Sequence, residues 1–300
     1  MSLLNAIIAP GFFASGPVLT AAIIGGGAAI VSGLVGVFTV IRGQSFAGHA
    51  LADVSSAGGS VSFLLGINPL LGFLGVAVVA AAAMEAAGLR RAQERDLVTG
   101  IVLGAGLGLT ALFLYFDIST QSTTGAAISV MFGSMFAIPA ALIPLTLGVA
   151  AGAVVITAAI YRPLLLTSLH ADLAAMRGVP VRTIGLLHLL VLSLAVTLSA
   201  MTIGAILSTA LLIGPAATAL RLARRPGRAI LLAILIGLAA TWGGILLAYD
   251  SYGWTSGHSW PVSFFIVTII FAAYLLSGLT RPGMTRPGMT PSAQSELRPG

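Results

Sequence analysis

A chain of 300 residues that is 58% hydrophobic, only 7% charged and of mean hydropathy +1.07 cannot be a water-soluble globule, in which about a quarter of residues are charged. The formal charge of +6 and the pI near 10.8 do not point to nucleic acid, because the charges fall in short stretches between apolar runs and act there as topology signals. With no cysteine, disulfides and thiolate metal sites are excluded, so any metal must be held by histidine, carboxylate or backbone oxygen.

Taken in order, the opening MSLLNAIIAPGFF lacks a basic n-region and a small-residue cleavage site, so no removable signal peptide is expected there. Residues 1–17, interrupted by Pro10, Gly11, Gly16 and Pro17, read as an interfacial lead-in. Spans are predicted over 18–41, 46–66, 70–88 and 97–116, with Arg42 stopping the first and Asn68-Pro69 turning the chain after the second. Residues 117–125 form a Ser/Thr loop, and the apolar stretch 126–138 is too short to cross and reads as a half-helix dipping into the membrane. Further spans follow at 140–160, 183–203, 204–220, 229–249 and 261–278, with a long polar connection at 161–182. The chain is therefore predicted to be all-α, a polytopic helical bundle of eight or nine spans in one domain over 1–279. The tail 280–300, which repeats TRPGM, reads as a disordered cytoplasmic linker.

Into the second span the sequence places two ionisable side chains, His49 and Asp53. Four residues apart on a helix, they lie about 40° apart on one face with Cβ atoms roughly 6 Å from each other. That spacing lets them hold one small cation between them. It also fits a hydrogen-bonded pair that tightens helix packing. Burying such groups in a membrane costs about 2.5–3.5 kcal/mol for a central Asp, which points to function. His188, inside another span, is open to the same two readings, a helix–helix hydrogen bond or a second contact for the ion. Asp117, Asp250 and His258 lie at span ends and read as solvated loop residues, and Glu85 reads as a surface charge.

All fourteen basic residues are arginine. Without lysine the chain cannot contain the GxxxxGK[ST] phosphate loop, so it has no ATPase site of that type and is not predicted to be an enzyme. Nine crossings with the N-terminus outside put every arginine, and the C-terminus, on the cytoplasmic side. Gly25 to Gly27 and Gly104, Gly106 and Gly108 are expected to permit close helix approach.

Residues 42–58, RGQSFAGHALADVSSAG, resemble the signature of the permease subunits of the metal-ion (zinc, manganese, iron) class of ABC importers, typically R, a short apolar stretch and GDAxSHAxxPG. Aligning GH with GD exchanges the pair, with His49 at the family's Asp and Asp53 at its His, while Ala57 replaces a frequent Pro. Residues 204–229, GAILSTALLIGPAATALRLARRPGRA, resemble the family's ALLIxPAATA segment, within which Pro215 is expected to break the helix. Residues 172–181 resemble its cytoplasmic DxxxAxxxGxP stretch through Asp172, Gly178 and Pro180.

The resemblance implies an inner (plasma) membrane permease that carries Zn²⁺ or Mn²⁺ inward, with His49 and Asp53 as ion contacts and no permanently bound cofactor. It further implies coupling to a separate ATPase through Gly204, Gly214, Pro215, Arg221, Arg224 and Arg225. Other implied partners are an extracytoplasmic metal-binding protein and a second permease copy or a similar permease, besides membrane lipid. A permease for metal chelates or vitamin B12-like substrates, and a gradient-driven secondary transporter, are the alternatives.

Overall fold

The computed structural model describes residues 11–86, 92–121, 125–254 and 260–279, and among them there is no strand. Twelve α-helices follow one another: α1 Gly16–Ile41, α2 Ser45–Leu65, α3 Pro69–Ala86, α4 Ala92–Gln121, α5 Gly125–Phe132, α6 Ile143–Ala159, α7 Tyr161–Leu169, α8 Ala171–Met176, α9 Val181–Ile203, α10 Ala205–Leu222, α11 Pro226–Trp254 and α12 Val262–Leu279. Eight of them, α1, α3, α4, α6 and α9 to α12, are long and apolar enough to cross a membrane. Helix α2 is not in that set, because His49 and Asp53, and to a lesser extent Ser55, Ser56, Ser60 and Ser62, lower its hydropathy. Its 21 residues still extend about 31 Å, the thickness of a bilayer core.

Burial sorts the helices into layers. Helices α1 and α9 form the centre, with 67% and 72% of their most apolar windows inside the protein. Around them α11 and α10 pack on α1, α3 packs on α9, and α2 lies between α3, α4 and α10. Helices α4 and α6, only 22% buried in the same measure, are outermost and present leucine, isoleucine and valine outward. An apolar outer surface is what lipid or another apolar partner requires.

Close contact on α2 depends on missing side chains. A β-carbon on Gly106 of α4 would lie 2.6 Å from both the Cα and a γ-methyl of Val54, so the backbones of α2 and α4 meet closely there. Gly104 and Gly108, expected to act likewise, have open space around them, since only one position in each turn faces the neighbour. Among Gly25 to Gly27, only Gly25 is tight, with Thr241 and Met135 against it.

Several predicted boundaries move. The loop expected at 117–125 is largely helix, because α4 continues through Gln121, and Asp117 is buried within the bundle instead of solvated. Residues 92–96, which precede the predicted fourth span, are also helical, since Ala92 to Asp96 are good or tolerated helix formers and start α4. The 161–182 connection folds into α7 and α8. Pro215 does not break α10, which runs unbroken from Ala205 to Leu222. Neighbouring helices make such a proline tolerable in a spanning segment, and α10 is packed against α1, α2, α9, α11 and α12. The half-helix is present as α5, followed by Gly133 and a 3-10 turn at Met135–Ala137. Residues 280–300 and His258 lie outside the described residues.

Candidate functional site

Helix α2 begins one tight turn after α1. Gly43 takes φ 63°, a left-handed conformation that glycine adopts without penalty, and the Gln44 amide bonds back to the Thr39 carbonyl. Arg42 braces this turn: Nε donates to Gln44 Oε1 at 3.2 Å, and Nη1 to Thr167 Oγ1 at 3.2 Å and Ser168 Oγ at 3.4 Å on α7. The start of α2 is thereby tied to a short helix of the 161–182 connection. One turn further on, Gly48 packs against Leu212 and Leu192, which seats α2 in the notch between α10 and α9.

From that seat His49 and Asp53 point to the same side. Nε2 of His49 is 3.6 Å from Oδ2 of Asp53, with the histidine side chain 40% accessible and the aspartate 8%. Two ligand atoms about 2.1 Å from one ion at a tetrahedral angle are roughly 3.4 Å apart. The pair therefore fits one divalent ion with little rearrangement. Nδ1 of His49, on the other edge of the ring, is 2.9 Å from Oγ1 of Thr209 on α10. Exposed Phe46 and Ile206, each one turn before these two residues, continue the open side of the pair as an apolar surface. Behind Asp53, Ser56 donates to the Asp53 carbonyl and meets Thr110 of α4 at 2.7 Å.

His188 is placed elsewhere. It is buried on α9 and its Nε2 has no hydrogen-bond partner. Among the described residues no three His, Asp or Glu side chains are grouped to hold a metal, so His188 does not complete a triad with His49 and Asp53. Glu85, expected on the surface, is half-buried: its carboxylate and the Arg42 guanidinium flank Gly185, 3.5 and 3.8 Å from where a β-carbon would stand.

The second motif divides in two. Gly204 joins α9 to α10 at φ 88°, and a β-carbon there would fall 2.2 Å from the Met131 carbonyl and 2.6 Å from the Gly133 amide, so it locks this join onto the end of α5. Arg221 is at the far end of α10, about 26 Å away at 1.5 Å per residue. Gly204 is thus set apart from the arginines with which the sequence groups it. Gly214 admits Ile270 of α12, and Pro215 is buried. Arg221 lies over the ring of Tyr274, 3.6 Å from its centroid, and bonds to its hydroxyl. Arg224 and Arg225 are exposed in the turn before α11. Near that turn, the Tyr161 hydroxyl of α7 comes within 4.0 Å of where a Gly227 β-carbon would be. Helix α8 next to α7 exposes Leu173 and Met176. Basic turn and apolar short helix share one end of the bundle.

Sequence reasoning did not single out Thr209, Thr167 or Ser168. For Thr209 a signal existed: Ser208-Thr209 is the polar interruption of an apolar stretch, in the motif that carries the second resemblance.

A family model described as the ABC 3 transport family matches residues 16–279. The chain is 30% identical over 235 residues to the manganese transport system membrane protein MntC of Halalkalibacterium halodurans, covering 77% of this chain and 78% of that one. It is 27% identical over 229 residues to the high-affinity zinc uptake system membrane protein ZnuB of Haemophilus influenzae, covering 74% and 85%. In three dimensions it is similar to a chain of PsaBC from Streptococcus pneumoniae, solved in complex with Fab, with TM-score 0.76, 27% identity and coverage of 91% and 94%.

Proposed function

The chain belongs to the ABC 3 transport family, and from that membership we propose that it is the membrane permease of an ATP-driven importer of Mn²⁺ or Zn²⁺ in the bacterial inner membrane, with ATP hydrolysed by a separate subunit. The observation that carries this reading is the His49–Asp53 pair, one nitrogen and one oxygen 3.6 Å apart on a bundle-spanning helix. Neutral imidazole and carboxylate suit both ions, and relatives named for manganese and for zinc are similar to this chain. A chelate substrate would need a wide pathway, whereas this pair is built to the scale of one ion.

In this reading an extracytoplasmic metal-binding protein delivers the ion to the end of the bundle near the α9–α10 join. The ion passes to His49 and Asp53, and a second copy of the chain, or a similar permease, closes the open apolar side around His49. The ATPase docks on α7, α8 and the turn holding Arg224 and Arg225, and Arg42 links that surface to the start of α2. The N-terminus faces outward and the C-terminus inward, which keeps every arginine cytoplasmic.

The test is uptake of radioactive Mn²⁺ and Zn²⁺ by cells that express the permease with its ATPase and binding protein. His49→Ala and Asp53→Ala each abolish uptake while the permease still co-purifies with the ATPase. Normal uptake by both variants refutes the site, and uptake that persists without any ATPase refutes the ATP-driven class in favour of a gradient-driven carrier.

A further inference from the structure

Thr209 holds the edge of the His49 ring that faces away from Asp53. Nδ1 of His49 meets Thr209 Oγ1 at 2.9 Å, and Nε2, on the opposite edge, faces Asp53 Oδ2. The two contacts come from different helices, α10 and α2. Most hydroxyls on the spanning helices bond back to their own backbone: Ser55, Ser60, Thr157 and Thr218 do so, as does Ser208 next door, to the Ala205 carbonyl at 2.8 Å. Thr209 instead reaches across to α2.

A neutral imidazole carries one N–H and one bare nitrogen, and only the bare nitrogen can bind a metal ion. A hydroxyl can act as donor or as acceptor. When Nδ1–H donates to Thr209, Nε2 is bare and turned to the side where Asp53 offers its oxygen, the form an arriving cation needs. When Thr209 donates to Nδ1, the proton sits on Nε2 and faces the carboxylate, the form that suits the pair between ions. A serine or threonine hydroxyl serves both; a methyl group serves neither.

We propose that Thr209 is a positioning residue for the transported ion, acting through His49 by fixing its ring plane and supporting the tautomer whose Nε2 is free to ligate. The inference rests on the reading of His49 and Asp53 as ion ligands. Metal-binding histidines depend on the partner of their second nitrogen in this manner, and loss of that partner costs about 10–100-fold in metal affinity or activity. If Thr209 only fastened α10 to α2, its loss would lower thermal stability and leave ion affinity unchanged.

The experiment measures binding of Mn²⁺ alone and of Zn²⁺ alone to the purified permease–ATPase complex, together with KM and Vmax of uptake in cells, for Thr209→Val, Thr209→Ser and His49→Ala. Thr209→Val is expected to weaken binding about 10–100-fold and to raise KM in parallel, while Thr209→Ser stays within about threefold of the unaltered protein. Should the valine variant not assemble, Thr209→Ala, which also removes the hydroxyl, takes its place in the comparison. Unchanged affinity in the hydroxyl-free variant, with His49→Ala binding lost, overturns the role of Thr209 and leaves the site standing. Unchanged affinity in His49→Ala overturns the site itself and this inference with it.

Discussion

The carbonyl oxygen of Gly72 occupies the space that a β-carbon on Gly58 would need: the two would be 2.0 Å apart. Helices α2 and α3 therefore touch backbone to backbone one and a half turns beyond Asp53. The reciprocal contact is as tight, since a β-carbon on Gly72 would meet the Gly58 carbonyl at 2.2 Å and the Ser62 hydroxyl at 1.9 Å. Neither neighbour is the yielding end of a long side chain, so a substituent here must push the helices apart.

Gly58→Ala is accordingly expected to destabilise the permease by about 1–3 kcal/mol, the usual range for overpacking a close-packed interior. Gly75, also on α3, has open space around it and supplies the control, with Gly75→Ala near neutral. Thermal unfolding of the detergent-solubilised complex measures both. Equal midpoints for the two variants contradict the backbone contact.

Arg42 is expected to matter beyond its charge. Its guanidinium spans Gln44 at the start of α2 and Thr167 and Ser168 on α7, and hydrogen bonds that involve a charged group are each worth about 1.5–3 kcal/mol. Arg42→Ala lowers uptake and the unfolding midpoint together. Arg42→Lys recovers only part of the loss, because a lysine ammonium on its single stem cannot reproduce the planar fork. The paired change Thr167→Val with Ser168→Ala removes the same link from the other side and should copy the uptake defect. Full uptake in that double variant counts against the link.

At the same end of the bundle, Met176 is 78% exposed and Leu173 37% exposed on α8, beside a turn of exposed arginines. Leu173→Asp and Met176→Asp are expected to abolish co-purification with the ATPase, since each places an unpaired charge in an apolar contact. Reversal of Arg224 and Arg225 to Glu should weaken the complex mainly at low salt, where exposed charges are least screened. Retention of the ATPase by both α8 variants would place its docking surface elsewhere.

The extent to which the sequence foretold these features varies by residue. The spans are legible because hydropathy over a membrane thickness is a local property; even α2, whose hydropathy His49 and Asp53 lower, reads as a membrane-length run from its remaining apolar residues. The half-helix was legible for the same reason, being too short to cross. Asp117 was misplaced because a polar stretch at the end of a span reads as loop, whereas α4 extends past it and neighbouring helices bury it. Pro215 reads as a helix breaker in the sequence, yet α10 runs through it because packing against neighbouring helices makes a proline tolerable there, and that packing is not a local property. Gly204 was grouped with Arg221 by proximity in the motif, although a straight helix puts them at opposite ends.

By itself the sequence determined that this is a helical membrane protein without its own phosphate loop, and that His49 and Asp53 share one face of a spanning helix. Composition, the absence of lysine and the four-residue spacing all act within a segment, where backbone geometry dictates the outcome. Only the tertiary structure decided that Thr209 backs His49 from another helix, that His188 lies apart from the pair, and that Arg42 braces α2 against α7. Those relations join residues more than a hundred positions apart, and they depend on how close glycine lets each helix approach its neighbour.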